Sequence, residues 1–590
     1  MKNKQSVPFS SIWKTLKPFI APYKWSYLGA IVMVVITCIV LAVNPSVEGG
    51  ITSSLLEDVM SGTGVRFDVV LRLLVTLFCL FLTKTVAQII ETIWLTNAIQ
   101  SAMHDLRDAL HQKIHRLPVR YFDHHQYGDI LSVITNDVDT LSNALQQSFI
   151  NIISGVLTLI LAIGMMLTID VTMTLIAILL IPLALLITRL VVHHSQAKFN
   201  AQQNALGRLN GTITELYGGF NEILLYNRQQ QAMEDFRAIN ADLQVNAFQA
   251  QFMSSLISPL TSLCTYLIIG SVAVVGSIFA MDGVILIGQL QAFIRYIWQI
   301  NEPLSQISNL SSQIQSAYAA MGRIVTLLDQ KEETERESLK QLDNVKGQVR
   351  FDHVHFGYHE NEPIIKDFSV TVEPGQMVAI VGPTGAGKTT LINLLERFYD
   401  VSGGSIQLDG VDIRDLSRQE LRENFAMVLQ DTWLFHGTIY DNIRYGRLDA
   451  RKDEVIEAAK RAKVHHFIRT LPDGYDMVLN EEGNNISQGE KQLLTIARAF
   501  LKDPQILILD EATSSVDTRL EKMLQEAMHN VMQGRTSFVI AHRLSTIRNA
   551  DLILVLQEGN IVEQGTHKEL MTKNGAYAAL YNSQFAQSES

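Results

Sequence analysis

The stretch Gly382-Pro383-Thr384-Gly385-Ala386-Gly387-Lys388-Thr389 lies between the apolar run MVAIV and the helical pattern TTLINLLERF, which carries Thr390 next. A strand, a glycine-rich turn and a helix in that order make a phosphate cradle. Glycines let backbone N–H groups turn inward, and the helix start adds a positive dipole. Lys388 is spaced to reach the β- and γ-phosphates of a nucleotide, and the Thr389 hydroxyl to bind Mg2+. Further along, ILILD ends in Asp510 and is followed by Glu511. A strand buried on both faces brings acids at its carboxyl end beside such a loop. Asp510 is placed for the Mg2+ shell and Glu511 to orient and polarise an attacking water. The chemistry predicted is nucleotide hydrolysis.

The elements that position these residues form an α/β domain over 348–590. Short β-branched runs (VRFDHVHF, MVAIV, ILILD, SFVIAH, LILVL) alternate there with helical segments, the pattern of a largely parallel sheet. A charged connector, 329–347, separates it from an apolar half, 1–328. Apolar windows near 25–47, 68–95, 148–169, 171–192, 255–280 and 283–305 predict six membrane-spanning helices. Each is near the ~20 residues that cross a hydrocarbon core of about 30 Å. Mean hydropathy is +0.14 with 18% charged residues, unusually apolar for a soluble chain of 590 residues. A net charge of −11 argues against a nucleic-acid partner, which needs a basic surface. Cys38, Cys79 and Cys264 each lie in an apolar run and read as core filler, with neither disulfide nor metal spacing. The N-terminus has no apolar stretch ending in a small-residue cleavage site, so no cleaved signal peptide is expected.

Lysines crowd the first 24 residues, and 96–147 and 193–252 are rich in Arg and Lys, whereas 48–66 sets Glu48, Glu57 and Asp58 against Arg66. The positive-inside rule therefore places the N-terminus and both long loops in the cytoplasm. Ile12, Trp13, Leu16, Phe19 and Ile20 share one helical face and predict an interfacial helix. Both long loops are helical in character, so spans two to five should continue beyond the membrane. They should turn near Tyr121-Phe122-Asp123, Gly128-Asp129 and 217–222. The pairs His124-His125 and His193-His194 lack further ligands at metal spacing and read as solvated.

Further segments join these motifs. They are Gln430 in MVLQDTWLF, 485–492 (NISQGEKQ), Ser514-Ser-Val-Asp517, Ala541-His542-Arg543, LFHGTIYDNIRYG and YFDHHQYGDILSVITNDVD. The set resembles ATP-binding-cassette (ABC) exporters over nearly the whole chain. It is similar in particular to half-transporters of heterodimeric bacterial multidrug pairs, such as the D-type subunits of the Lmr and Efr systems. The resemblance implies ATP and Mg2+ as ligands, with Tyr358 stacked on adenine and Gly382 to Thr390 around the phosphates. Thr389, Gln430 and Asp510 would hold the metal, while Lys388, Glu511 and His542 would be catalytic. Ser487, Gln488, Gly489 and Glu490 would serve the nucleotide of a partner subunit, with Ser514 and Asp517 in the D-loop. Two such chains would sandwich two ATP molecules, and the loop tips near 121–129 and 215–222 would couple closure to a rocking of the spans.

The family signature is usually Leu-Ser-Gly-Gly-Gln; here Ile486-Ser487-Gln488-Gly489-Glu490 stands in its place. Gln488 adds a side chain where backbone should approach phosphate, and Glu490 adds a repelling charge. The resemblance therefore implies the catalytic half of a heterodimer, whose own signature completes a degenerate site on the partner; a homodimer is the alternative. The expected setting is a bacterial plasma membrane with the ATP-binding domain cytoplasmic. For cargo, Arg295, Trp298 and Glu302 fall on one face of the sixth span, beside Tyr296. Arg295 would lie about 18 Å into the membrane at roughly 1.5 Å per residue. Such a wall suits export of amphipathic, drug-like compounds, or Arg295 pairs structurally with a carboxylate on a neighbouring helix. A dedicated lipid or peptide exporter and an ATP-gated channel or sensor are the other readings.

Overall fold

The computed structural model describes residues 8–62, 64–336, 339–342, 344–359, 362–429, 432–480, 485–510, 518–540 and 544–584. The chain divides into two units, Met1–Arg116 with Gln126–Lys331, and Leu117–His125 with Glu332–Ser590. The division falls inside the charged connector, and the tip of the first long loop belongs to the second unit.

The first unit holds α1 (Phe9–Ile20), α2 (Lys24–Ser61), α3 (Phe67–His115), α5 (Tyr127–Ser132), α6 (Val138–Ile169), α7 (Val171–Ile178), α8 (Leu180–Gly218), α9 (Phe220–Leu225), α10 (Gln229–Ser255), α11 (Ile257–Met281) and α12 (Ile287–Leu328); α4 (Val119–Asp123) is in the second. Among the described residues, five continuous helical stretches are long and apolar enough to cross a membrane. The four from Phe67–His115 to Gln229–Met281 run 43–53 residues. At 1.5 Å per residue that is about 65–80 Å, over twice a hydrocarbon core, so they extend well beyond it. α12, at 42 residues, has the length, but Gln289, Gln291, Arg295, Gln299, Asn301 and Glu302 lower its hydropathy. The turn between α6 and α7 is tight because Asp170 caps α7, its carboxylate accepting the Met173 N–H at 2.8 Å. The apolar stripe of α1 is split: Ile12 and Leu16 are buried while Trp13 is exposed.

α2 and α12 are held together by a polar seam whose origin is Pro45. Proline has no N–H, so the Leu41 carbonyl one turn back loses its helical donor. Gln299 Nε2 of α12 donates to that carbonyl at 3.0 Å. The Tyr296 hydroxyl donates to the Ala42 carbonyl at 2.7 Å and sits 2.8 Å from the Ser46 hydroxyl. Thr52 bonds Gln291 one turn further out. Gly49 and Gly288 bring the two backbones together: a Cβ on either would overlap the other's carbonyl oxygen.

In the second unit the strands are β1 (Val349–Phe356), β2 (Ile365–Val372), β3 (Met377–Val381), β4 (Gly403–Leu408), β5 (Val411–Asp412), β6 (Phe425–Val428), β7 (Gly437–Thr438), β8 (Val478–Leu479), β9 (Ile506–Asp510), β10 (Thr536–Ile540), β11 (Leu552–Gln557) and β12 (Asn560–Gly565). Ten form one sheet, ordered β5-β4-β1-β2-β12-β11-β3-β10-β9-β6. The run β11-β3-β10-β9-β6 is parallel. The central residues of its strands are apolar because both faces are covered: Val378, Ile380, Ile506 and Ile508 enter one core, and Ala379, Val381, Leu507 and Leu509 the other. The helices that follow β3 and lead to β9 are α13 (Lys388–Leu395), α14 (Arg418–Glu423), α15 (Ile439–Arg444), α16 (Lys452–Arg461), α17 (His465–Thr470) and α18 (Gln488–Lys502).

Replacing Gly288 with Ala should force α2 and α12 apart and cost about 1–3 kcal/mol. Thermal unfolding of the detergent-solubilised protein measures it, and an unchanged melting temperature would mean the seam does not set the helix spacing.

Candidate functional site

The site gathers at the carboxyl edge of the parallel strands. β3, β10 and β9 are neighbours in register, with Ile380 opposite Ile540 and Ile540 opposite Asp510. The phosphate loop follows β3 and opens α13, whose N-cap is Gly387 at φ +100°. A Cβ on Gly382 would overlap the Leu556 carbonyl oxygen, while Gly385, at φ +83°, has open space on its Cβ side. Only glycine meets both demands, a left-handed backbone and close approach.

Pro383, Thr384, Gly385 and Thr389 are exposed along the mouth of the loop, whereas Ala386 and Thr390 are buried. Ala386 therefore has only backbone to offer a ligand, and Thr390 is part of the core under the loop. Lys388 folds onto its own loop, Nζ donating to the Gly382 and Pro383 carbonyls at 2.8 and 3.0 Å. Burial holds its pKa below the usual lysine value, and the Asp510 carboxylate opposes that shift. Lys388 and Asp510 thus face each other electrostatically across the loop. An exposed Thr389 hydroxyl, a strand-end carboxylate and an open loop of backbone amides are a donor set that fits a phosphate-bound Mg2+. When bound, that ion would supply charge neutralisation on the phosphates.

Tyr358 is half-buried. Its ring packs edge-on against Phe356 and Tyr399, both at 5.1 Å, and its hydroxyl reaches Thr390 at 3.4 Å. The aromatic group named from sequence thus lies against the helix that carries the phosphate loop. A cavity of about 630 Å³ adjoins it, lined by Tyr358, His359, Phe398 and Tyr399 together with Arg120 and Asp123. The first-loop tip contributes through α4: Arg120 donates to the Tyr358 carbonyl at 2.9 Å, the Tyr399 hydroxyl bonds Asp123, and His124 stacks on His359. His124, read from sequence as solvated, has a ring partner here, and Arg120, Asp123 and Tyr399 have no motif that would single them out.

Gln430, Glu511, Ser514, Asp517 and His542 lie outside the described residues. In sequence, Gln430 comes two residues after β6, Glu511 one after β9 and His542 two after β10.

At the signature, Ser487 is the N-cap of α18. Its N–H and hydroxyl both donate to Glu490 Oε2, at 2.8 and 2.7 Å, and its Oγ accepts the Glu490 N–H at 3.4 Å. This is a capping box, and the Glu490 charge is favourable to its own helix dipole. The hydroxyl proton of Ser487 is thereby committed to a carboxylate, and Gln488 is exposed beside it. Beside the phosphate repulsion expected from sequence, Glu490 thus competes for the Ser487 donor. Three turns on, Arg498 lies between Phe435 and Tyr445, 5.8 and 5.6 Å from their rings. It donates to the Trp433 and Asn442 carbonyls at 2.8 and 2.6 Å, and burial pushes its pKa down to about 10. It ties α18 to the segment after Gln430, a link no sequence spacing announces.

In the membrane unit, Arg295 and Glu302 are exposed and Trp298 is partly so, its ring edge-on to Tyr266 at 5.3 Å. Tyr296, placed with them from sequence, is fully buried because its hydroxyl is taken by Ala42 and Ser46 in the turn of α2 around Pro45. Arg295 Nε lies 3.5 Å from Glu48 Oε2, so the structural pairing is present.

A phosphate loop and carboxylate at the edge of a parallel sheet, on a chain with helices long enough to span a bilayer, define a membrane-bound nucleotide hydrolase. The family models for the ABC transporter transmembrane region and for the ABC transporter match residues 27–304 and 365–514. The chain belongs to the ABC transporter family. It is 47% identical to a fatty acid ABC transporter ATP-binding/permease protein of Mycobacterium tuberculosis over 88% of this chain and 82% of that one. It is 34% identical to a putative multidrug export ATP-binding/permease protein, YgaD of Bacillus subtilis, over 97% and 99% of the two chains. The solved structure of a bacterial Atm1-family ABC exporter with ATP bound superposes with a TM-score of 0.78 at 28% identity, over 96% and 99%. The protein is accordingly an ATP-driven membrane exporter, an ATPase coupled to transport, of a family that acts as dimers in the bilayer.

Replacing Glu490 with Gln keeps a capping-box residue but removes the charge, and should tighten nucleotide binding at the site the signature completes roughly tenfold, about 1.4 kcal/mol. The same change should weaken α18 by about 0.3–1 kcal/mol. An unchanged nucleotide dissociation constant at that site would show that the Glu490 charge does not limit the signature.

Proposed function

We propose that this chain is the catalytic half of a heterodimeric exporter of amphipathic compounds in a bacterial plasma membrane. Its functional division is a membrane domain, 1–328, and an ATP-binding domain, 348–590, with the N-terminus and the ATP-binding domain cytoplasmic. α12 is the sixth span. The observation that carries the heterodimer is the Ser487–Glu490 capping box in a chain whose phosphate loop and Asp510 are intact. Lys388 and the loop amides hold the triphosphate, Tyr358 meets the adenine, and Thr389, Gln430 and Asp510 hold Mg2+. Glu511 polarises the attacking water and His542 contacts the γ-phosphate, while Ser514 and Asp517 sit where two chains meet. Ser487, Gln488, Gly489 and Glu490 face the partner's nucleotide.

For cargo, the open side of Arg295 and Trp298 on α12 supports an amphipathic compound. Multidrug export by the 34% identical relative supports drug-like molecules, and the fatty acid named for the 47% identical relative supports an acyl chain bearing a carboxylate. Competition between a dye and a fatty acid for ATP-dependent uptake into inverted vesicles separates the two.

Purified alone, the chain should show little ATPase, and its partner subunit should restore it. Full transport and ATPase from the chain alone would point to a homodimer. Replacing Glu511 with Gln should lower turnover by about 10²–10⁴-fold and leave ATP trapped. Retained transport in that variant would favour a channel or sensor that needs no hydrolysis.

A further inference from the structure

Arg295 and Glu48 form an ion pair that leaves half of the arginine unused. Glu48 meets the guanidinium on its Nε side, at 3.5 Å. Among the described residues, no second ion pair of Arg295 accompanies it. Glu48 is itself held from the other side, Asn44 Nδ2 lying 3.5 Å from Glu48 Oε1. The Arg295 side chain is 62% exposed and that of Glu48 25%, so the carboxylate is the inner member and the guanidinium the outer one. A guanidinium oriented through Nε presents both terminal nitrogens as a fork, the geometry that binds a carboxylate through two parallel hydrogen bonds. Trp298, one turn along α12 and edge-on to Tyr266, adds apolar surface beside that fork.

Resting on the amphipathic-cargo reading, we propose that Arg295, oriented by Glu48, is the headgroup site for a carboxylate-bearing acyl-chain cargo. Glu48 acts as a positioning residue: it keeps the fork turned outward, and because its charge offsets that of Arg295, the site selects for carboxylates mainly by the geometry of the fork. Lysine in place of Arg295 keeps the charge but loses the fork.

The test compares oleate, oleyl alcohol and oleylamine, identical chains with three headgroups, as stimulators of ATPase. The full-length protein is used, assembled with its partner in nanodiscs. The native protein should respond to oleate at a concentration at least about tenfold lower than to either of the others. Replacing Arg295 with Gln should raise the half-stimulating oleate concentration about tenfold and bring the three headgroups together. Replacing it with Lys should restore only part of the preference, and Glu48→Gln should blunt oleate discrimination while leaving a response to the alcohol. Equal oleate responses in the native and Arg295→Gln proteins would overturn the headgroup site and leave the amphipathic reading standing. No response of the native protein to any of the three would overturn both. A merely destabilised variant would lose all three responses together, and the partial return in Arg295→Lys separates that result from lost recognition.

Discussion

A triphosphate must be held by a chain whose net charge is −11. Side-chain charge cannot do this globally, so the positive potential has to be local and built from backbone. Amides turned inward over a left-handed loop, a helix N-terminus and one lysine supply it. The requirement propagates outward. The loop has its shape only if β3 is pinned on both sides, which explains why β3 and its neighbours are apolar on both faces. Pinning several parallel strands in register then brings the carboxyl ends of β6, β9 and β10 to one edge; Gln430, Glu511 and His542 come within two residues of those ends in the sequence. Lys388 shows the electrostatic balance at that edge: burial disfavours its charge and Asp510 restores it.

The membrane half answers a different constraint. In hydrocarbon no water can satisfy a carbonyl that a proline has released, so a neighbouring helix must. Gln299 does so for Leu41, and it is one of the polar residues that lower the hydropathy of α12. Part of the polar character of the sixth segment thus answers Pro45 in the first. The same seam carries Arg295 and Glu48, so structural repair and the proposed recognition share one helix interface.

What was legible in the sequence was local. The phosphate loop, the strand ending in Asp510 and the long helices each depend on neighbours within one element, and spacing reveals them. Contacts between distant segments were not legible. Nothing near Tyr296 shows that its hydroxyl is taken by residues 42 and 46, so sequence placed it beside Arg295 at the cargo wall, although it is fully buried. The attachment of 117–125 to the ATP-binding unit likewise depends on Tyr358 and Tyr399, far along the chain. Ser487 and Glu490 are an intermediate case. Their spacing is that of a capping box, yet the signature context drew attention to charge alone.

On the proposed assignment of the signature, that last pair serves a helix and a neighbour's nucleotide in opposite senses. Glu490 stabilises α18 through the dipole and through Ser487, a contribution made entirely within this chain. Its cost falls elsewhere, on whatever phosphate approaches the helix start from another subunit. A substitution that strengthens its own fold while weakening a site completed in trans is retained most easily where the two sites of the dimer have divided their work. On the proposed reading, the capping geometry makes asymmetry between the two ATP sites tolerable for this chain, because the residues assigned to its own nucleotide do not include Glu490.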